Sequence, residues 1–232
     1  MDNILLIETS TALCSVALAQ DGAVTAYRES SAPKAHASLT AVFIQEMLQE
    51  RGLTLADCKA VCVSKGPGSY TGLRVGVSTA KGLCFGSGKP LLAVGTLDTL
   101  VAQAATVIPS EVEGSTFRYI IPMIDARRME VYTAVFENGV QITETAPAII
   151  DETSFAEYLE QGPCLFIGDG AGKCADVIKH PNAHFRQCCP KASAMLSPAI
   201  EAYKAGKFED VAYFEPFYLK EFVATVSKKK LF

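Results

Sequence analysis

Apolar and polar positions change their period along the chain, and the changes mark the elements. Ile4-Leu5-Leu6-Ile7 is a continuous apolar run. A second run, Cys14 to Ala19, follows a Thr/Ser-rich turn, and Gln20-Asp21-Gly22-Ala23 then carries a hairpin signal before Val24 to Arg28. These segments predict three strands within residues 3–29. From 34 to 51 the period lengthens: Leu39, Val42, Phe43, Met47 and Leu48 recur at three and four residues, the spacing of a helix with one buried face. Ile44 widens that stripe, which fits either a second face buried on a partner or, as is commoner, a well-covered core helix. A strand at 60–64, a helix at 72–86, a strand at 91–95 and a helix capped by Thr96 complete a first half of order β-β-β-α-β-α-β-α.

Residues 106–116 are polar, with Pro109, Ser110, Gly114 and Ser115, and a domain boundary is placed there. The second half reads as strands from Arg118 to Ile124 and Met129 to Phe136, with an Asn138-Gly139 hairpin turn. Helices are predicted at 152–160, 171–179 and 193–206. A strand at Cys164-Leu165-Phe166-Ile167 runs into Gly168-Asp169-Gly170-Ala171-Gly172. Each half therefore joins a strand to a helix through a glycine turn, although no close internal repeat is visible.

The first of those turns is Ser64-Lys65-Gly66-Pro67-Gly68-Ser69-Tyr70-Thr71-Gly72-Leu73-Arg74. A strand, a glycine turn and a helix start aim backbone N–H groups and a helix dipole at one place. The nucleotide fingerprints fit it badly. Gly66, Gly68 and Gly72 are one residue too long for G-x-G-x-x-G, and Leu73-Arg74 stand where a P-loop has its Lys and hydroxyl. One reading is a structural turn with Ser69 or Thr71 as helix cap. The other is a seat for an anion or an acidic partner. Arg74 favours the second, because a cation in the first helical turn opposes the dipole at a cost of roughly 0.3–1 kcal/mol. Beyond it Gly72, Gly76 and Ala80 leave one helix face nearly bare, open to a close backbone approach.

Composition narrows the function classes. The 232 residues suffice for one large or two small domains, and 49% apolar with 20% charged is an ordinary globular balance. The net charge of -4 gives no basic footprint for unaided nucleic-acid binding. The one basic cluster, Lys228-Lys229-Lys230, reads as a solvated tail. No run approaches the ~18 apolar residues of a membrane span, and the N-terminus enters a strand pattern without a basic leader. A cytoplasmic location is expected, with no membrane partner. The eight cysteines include no C-x-x-C pair and read as reduced and structural.

Five segments together resemble one family. They are Ile7-Glu8-Thr9-Ser10, Gly66 through Arg74, Asp125-Ala126-Arg127-Arg128-Met129-Glu130-Val131-Tyr132, Gly168-Asp169-Gly170-Ala171 and Pro216-Phe217-Tyr218-Leu219-Lys220. In this order and spacing they look like the bacterial TsaB (YeaZ) family, nearly end to end. The resemblance implies an α/β fold of two actin/Hsp70/sugar-kinase-like subdomains, 1–105 and 106–232, each a mixed sheet flanked by helices. It also implies a non-catalytic scaffold that activates TsaD, the subunit transferring a threonylcarbamoyl group to the adenosine beside the anticodon of tRNA. The implied partners are TsaD itself and a TsaE-type ATPase, with tRNA met through the complex and a homodimer when alone. No tightly bound cofactor is implied; ATP or ADP is a candidate ligand at the interface with TsaD.

The family's partner surface is a four-helix interface formed by its first two helices. Carried onto this chain, it points to Leu39, Phe43, Gly72, Leu73, Arg74, Gly76 and Ala80. A Gly76→Arg change is accordingly expected to abolish pairing and leave the monomer folded. Candidate nucleotide or anion contacts are Glu8, Thr9, Ser10, Gly68, Ser69, Asp125, Arg127 and Asp169. The Asp125-Arg127-Arg128-Glu130 cluster reads equally as a hairpin corner or as a charged contact. The alternative function is a weak ATPase, with Glu8 near magnesium, or a hydrolase of the M22 glycoprotease type with which the family is filed. The residues give neither hydrolase much support. His180 and His184 have i, i+4 spacing, but Pro181 forces His180 out of helix. No Ser-His-Asp set stands out, so no catalytic or metal-ligating residue is assigned.

Overall fold

A computed structural model describes residues 2–107 and 117–219. Most of the polar boundary stretch and the Lys228–Lys230 cluster lie outside those residues. Strands β1 (Asn3–Glu8), β2 (Cys14–Gln20) and β3 (Ala23–Ser30) precede helix α1 (Ala35–Glu50), strand β4 (Cys58–Gly66) and helix α2 (Tyr70–Ser87). Strand β5 (Leu91–Gly95) and helix α3 (Thr96–Val107) follow. The first sheet has the order β3-β2-β1-β4-β5. Its β1–β2 and β2–β3 pairings are antiparallel, and β1–β4 and β4–β5 are parallel. The element order predicted for this half holds, with bounds shifted by a few residues.

The unbroken apolar run in β1 reflects a sheet covered on both faces. Side chains alternate along a strand: Leu5 and Ile7 join Ile44, Met47 and Leu48 of α1 and Val77, Ala80 and Cys84 of α2. Ile4 and Leu6 point the other way, onto Ala192, Met195 and Ala199.

The second half contains β6 (Tyr119–Asp125), β7 (Glu130–Thr133), β8 (Phe136–Glu137), β9 (Val140–Gln141) and β10 (Ala146–Ile149). Next come α4 (Ala156–Leu159), β11 (Cys164–Gly168), α5 (Ala171–Cys174), β12 (Ala183–Gln187) and α6 (Leu196–Lys204). The main path of its sheet is β10-β7-β6-β11-β12, and the β8–β9 hairpin turns at Asn138-Gly139. Here too β6 pairs antiparallel on one side and parallel with β11 on the other. The architecture is thus α/β, with two mixed sheets flanked by helices. Strands β10 and β12 were not anticipated. The helices expected at 152–160 and 171–179 shrink to single turns, and the one at 193–206 begins as a 3-10 turn, Ala192–Met195.

The expected boundary divides the sheets but not the helices. Leu97, Leu100, Val101 and Ala104 of α3 bury on Ile124, Leu165 and Ile167 of the second sheet. Conversely, the 3-10 turn and α6 bury on the first sheet, where Ser15 Oγ accepts the Ala192 N–H at 2.9 Å. Each half of the sequence packs one helix on the sheet of the other, because each sheet still has an apolar face to cover after its own helices are placed. One smaller correction concerns Thr96: its hydroxyl is buried without a partner, so the side chain does not cap α3.

Candidate functional site

The carboxyl ends of β1, β4, β6 and β11 meet at one cleft of about 680 Å³, a size that suits a small ligand. Such a crevice, at the strand ends where chain connections diverge, is where open α/β sheets bind ligands. Ser10, Thr11 and Ala12 line it from the turn after β1, Pro67 to Thr71 from the glycine turn, and Ile124 to Arg127 from the end of β6. Asp169 follows β11, and Phe217, Tyr218 and Leu219 close one side.

Six of the eight candidate ligand contacts line this cleft: Ser10, Gly68, Ser69, Asp125, Arg127 and Asp169. Glu8 and Thr9 do not, and their expected ligand role is corrected. Glu8 is fully buried; its Oε1 accepts the Ser10 N–H at 2.7 Å and the Ser64 hydroxyl at 2.9 Å. Burial pushes its carboxyl up to about 7, against the pull of those bonds. The group staples β1 to β4 rather than facing a ligand.

The charged corner resolves as a hairpin corner that also faces the cleft. Asp125 Oδ1 accepts the Arg127 N–H at 2.7 Å, and Arg127 and Arg128 both have left-handed φ, 72° and 49°. The Asp125 carboxylate pairs not with either arginine but with Lys173, at 2.7 Å. Partial burial works to raise its pKa, and the Lys173 bond and the Arg127 N–H outweigh it, so the net direction is down. Asp169 Oδ1 accepts the Asp125 N–H at 2.9 Å. Its own carboxyl is pushed up by burial and by the neighbouring Asp125. Arg127 and Arg128 are both exposed, but only Arg127 lines the cleft.

Helix α2 starts at a cap: Ser69 Oγ accepts the Gly72 N–H at 3.3 Å. The small-residue face of this helix is where the expected interface fails. Gly72, Leu73, Gly76 and Ala80 are all buried inside the first half. A Cβ on Gly72 would overlap the Thr9 carbonyl oxygen, and one on Gly76 the Thr9 hydroxyl. These glycines admit the chain's own β1 turn, so Gly76→Arg would break the fold rather than a partner contact. The opposite face is open. It carries Arg74, Ser78, Gly82 and Phe85, with Phe85 87% exposed and open space beyond Gly82 and Gly86. Alongside it on α1, Val42 is 42% exposed, and Leu39 and Phe43 are half-buried, Phe43 packing onto the core.

The wall formed by residues 217–219 belongs to the Pro216–Lys220 segment that carries part of the family resemblance, but the sequence alone assigns it no ligand role. The Phe217 N–H donates to the Lys65 carbonyl at 2.7 Å, and the rings of Tyr70 and Tyr218 are 4.9 Å apart. His36 meets the Thr11 carbonyl through Nε2 at 2.9 Å. His180 and His184 lie elsewhere: His180 Nδ1 accepts the Asn182 N–H, and His184 sits edge-on to Phe117. All eight cysteines are unpaired, six of them buried. No helix of the described residues is long and apolar enough to cross a membrane.

Comparison with known proteins places these features. Residues 28–212 match the family described as TsaD, tRNA N6-adenosine threonylcarbamoyltransferase. The tRNA threonylcarbamoyladenosine biosynthesis protein TsaB of Escherichia coli K12 is 35% identical over 229 residues, covering 95% of this chain and 96% of its own length. A solved Pseudomonas aeruginosa protein, described as similar to peptidase YEAZ, superposes with a TM-score of 0.79 at 27% identity, covering 95% of this chain and 100% of its own. The Clostridium difficile activator of 2-hydroxyisocaproyl-CoA dehydratase, solved with bound ADPNP, has a TM-score of 0.50 at 11% identity over 88% of this chain and 96% of its own; it shares the fold alone. The two mixed sheets are those of the actin/Hsp70/sugar-kinase-like ATPase fold, and the chain belongs to the TsaB (YeaZ) family, whose named members act in tRNA threonylcarbamoyladenosine biosynthesis.

Proposed function

We propose that this chain is a non-catalytic subunit that docks onto a TsaD-type transferase and supports its transfer of a threonylcarbamoyl group to tRNA. The observation that carries the reading is the uncovered outer face of α1 and α2. Helix α2 exposes Ser78, Gly82 and Gly86 at intervals of four, with Phe85 standing clear of the surface. A partner helix can approach closely over the glycines and receive Phe85, an arrangement in which aromatic side chains supply much of the binding energy. Val42 and Leu39 extend the apolar strip onto α1. The same strip serves a homodimer when the transferase is absent. A TsaE-type ATPase and tRNA join through the complex, and ATP or ADP is a guest of that complex rather than a cofactor held tightly by this chain.

Phe85→Asp tests the reading without touching the core, because the ring is already exposed. The variant should fold as the parent does and fail to co-purify with a TsaD-family transferase. Reconstituted threonylcarbamoyl transfer should then drop to the level seen without this chain. Transfer by this chain alone, or full activity with Phe85→Asp, would overturn the proposal.

A further inference from the structure

Residues 207–219, which follow α6, form no helix; Val211 and Phe214 pack on the first core, and four polar or ring contacts bind the segment to the body of the protein. The Glu209 N–H donates to the Leu91 carbonyl at 2.9 Å. Lys81 Nζ donates to the carbonyls of Ala212 and Phe214, both at 3.0 Å. The Phe217 N–H bonds the Lys65 carbonyl, and the Tyr218 ring meets Tyr70. The fit at Phe217 is close enough to require glycine beneath it: Gly66 has φ +103°, and a Cβ there would lie 2.8 Å from the Phe217 carbonyl oxygen. The far end of this strap is the Phe217-Tyr218-Leu219 wall of the cleft.

Two of the latches belong to α2, the helix that also carries the open outer face. Arg74, which holds Tyr70 through a 2.9 Å bond, and Lys81 lie seven residues apart; Phe85 is four beyond Lys81. Residues at these spacings share one side of a helix. A partner that covers Ser78, Gly82 and Phe85 therefore also meets the two cations that hold the strap.

We propose that the strap end is a movable wall of the cleft that docking on α2 releases. The trigger is a partner surface bearing carboxylates beside its apolar strip. A carboxylate binds an ammonium more strongly than a neutral carbonyl does, so it draws Lys81 away from Ala212 and Phe214. Arg74 shifts from the Tyr70 hydroxyl in the same way. With both latches gone, the Phe217 N–H bond to the Lys65 carbonyl is left to hold the strap end, which then opens more readily and widens the cleft. The cleft is thus narrower in the free chain and wider in the complex. The trigger rests on the docking reading above, but the latch does not.

Amide hydrogen exchange of the full-length chain separates the two. Lys81→Met removes the ammonium and keeps the length of the side chain. The Phe217 amide should then exchange at least ~10-fold faster, while core amides of β1 and β4 stay unchanged. Tyr218→Ala, a change at a partly exposed ring, should speed the same amide and covers the case in which Lys81→Met perturbs folding. A Phe217 amide as slow in both variants as in the parent would overturn the latch. A saturating TsaD-family transferase should accelerate that amide in the parent. Slower or unchanged exchange in a complex verified by sedimentation would overturn the trigger alone. Failure to form any complex would remove the docking reading and the trigger together, leaving the variants to judge the latch.

Discussion

Arg74 Nη1 donates to the phenolic oxygen of Tyr70 at 2.9 Å, one helical turn earlier on α2. The guanidinium carbon lies 5.3 Å from the centroid of the same ring. From sequence, a cation at this position asks for an acidic group. Within the chain it finds a phenol and a ring face instead, and the ring in turn meets Tyr218. Both residues are at the surface, so the pair is worth about 0.5–1 kcal/mol. Arg74→Met should lower urea stability by that amount, and Tyr70→Phe by less, since it keeps the ring and loses only the hydroxyl. A double-mutant cycle checks it: additive losses would mean that the two side chains do not interact.

The two glycine stripes of α2 should answer substitution in opposite ways. Gly76→Ala forces a methyl against the Thr9 hydroxyl and should cost about 1–3 kcal/mol by overpacking. That hydroxyl has no hydrogen-bond partner, so Thr9→Ala should recover part of the loss. Gly82→Ala meets open space and should stabilise the free chain by up to ~1 kcal/mol through helix propensity. If the outer face docks a helix, the same methyl should weaken pairing with a TsaD-family transferase. Thermal melts and affinity measured on the three variants distinguish inner stripe from outer.

This contrast also marks what the sequence could disclose. The four-residue period of Gly72, Gly76 and Ala80 was legible, and so was its meaning, a close approach. Its direction was not, because the approaching group, Thr9, comes from a turn about 65 residues away in a different element. The three strands within residues 3–29 were legible because hairpin chemistry and apolar runs are local signals. Strand β10 was hidden by Pro147, which a strand tolerates at a sheet edge, and β12 by a mixed stretch, Ala183–Gln187, that pairs on one side only. The motif residues Ser69, Asp125 and Asp169 did converge. Glu8 did not join them, since a strand-end carboxylate reads alike in sequence whether it points into a cleft or into the core.

Asp125 and Lys173 should behave as a modest local clamp. Their 2.7 Å ion pair joins the end of β6 to α5, and Lys173 also donates to the Glu130 carbonyl at 2.7 Å. The Asp125 pKa is lowered in the folded chain, so its contribution is present above the ordinary carboxylate range and is lost as pH falls through it. Asp125 is nearly half exposed, which limits the pair to about 1 kcal/mol. Lys173→Met should lower stability by that much at pH 7 and by little at pH 3. Equal losses at both pH values would mean that packing, not charge, holds the corner.

Glu8 should impose the opposite pH dependence. Its carboxyl has a folded pKa of about 7 against 4.5 in the unfolded chain. The folded state therefore binds a proton more tightly than the unfolded one. The stability due to that proton is complete below pH 4.5 and declines as pH rises, until it is lost above 7. A shift of this size corresponds to roughly 3 kcal/mol. Glu8→Gln keeps an oxygen for the Ser10 N–H and the Ser64 hydroxyl and carries no charge. The variant should match the parent near pH 4, exceed its stability at pH 8, and flatten the slope between. Denaturant unfolding across that range reads the effect, once the shared contribution of other groups is cancelled by subtracting the two profiles. A parent profile parallel to that of Glu8→Gln would mean that Glu8 is ionised in the fold at neutral pH, with its unpartnered Oε2 carrying charge in the core.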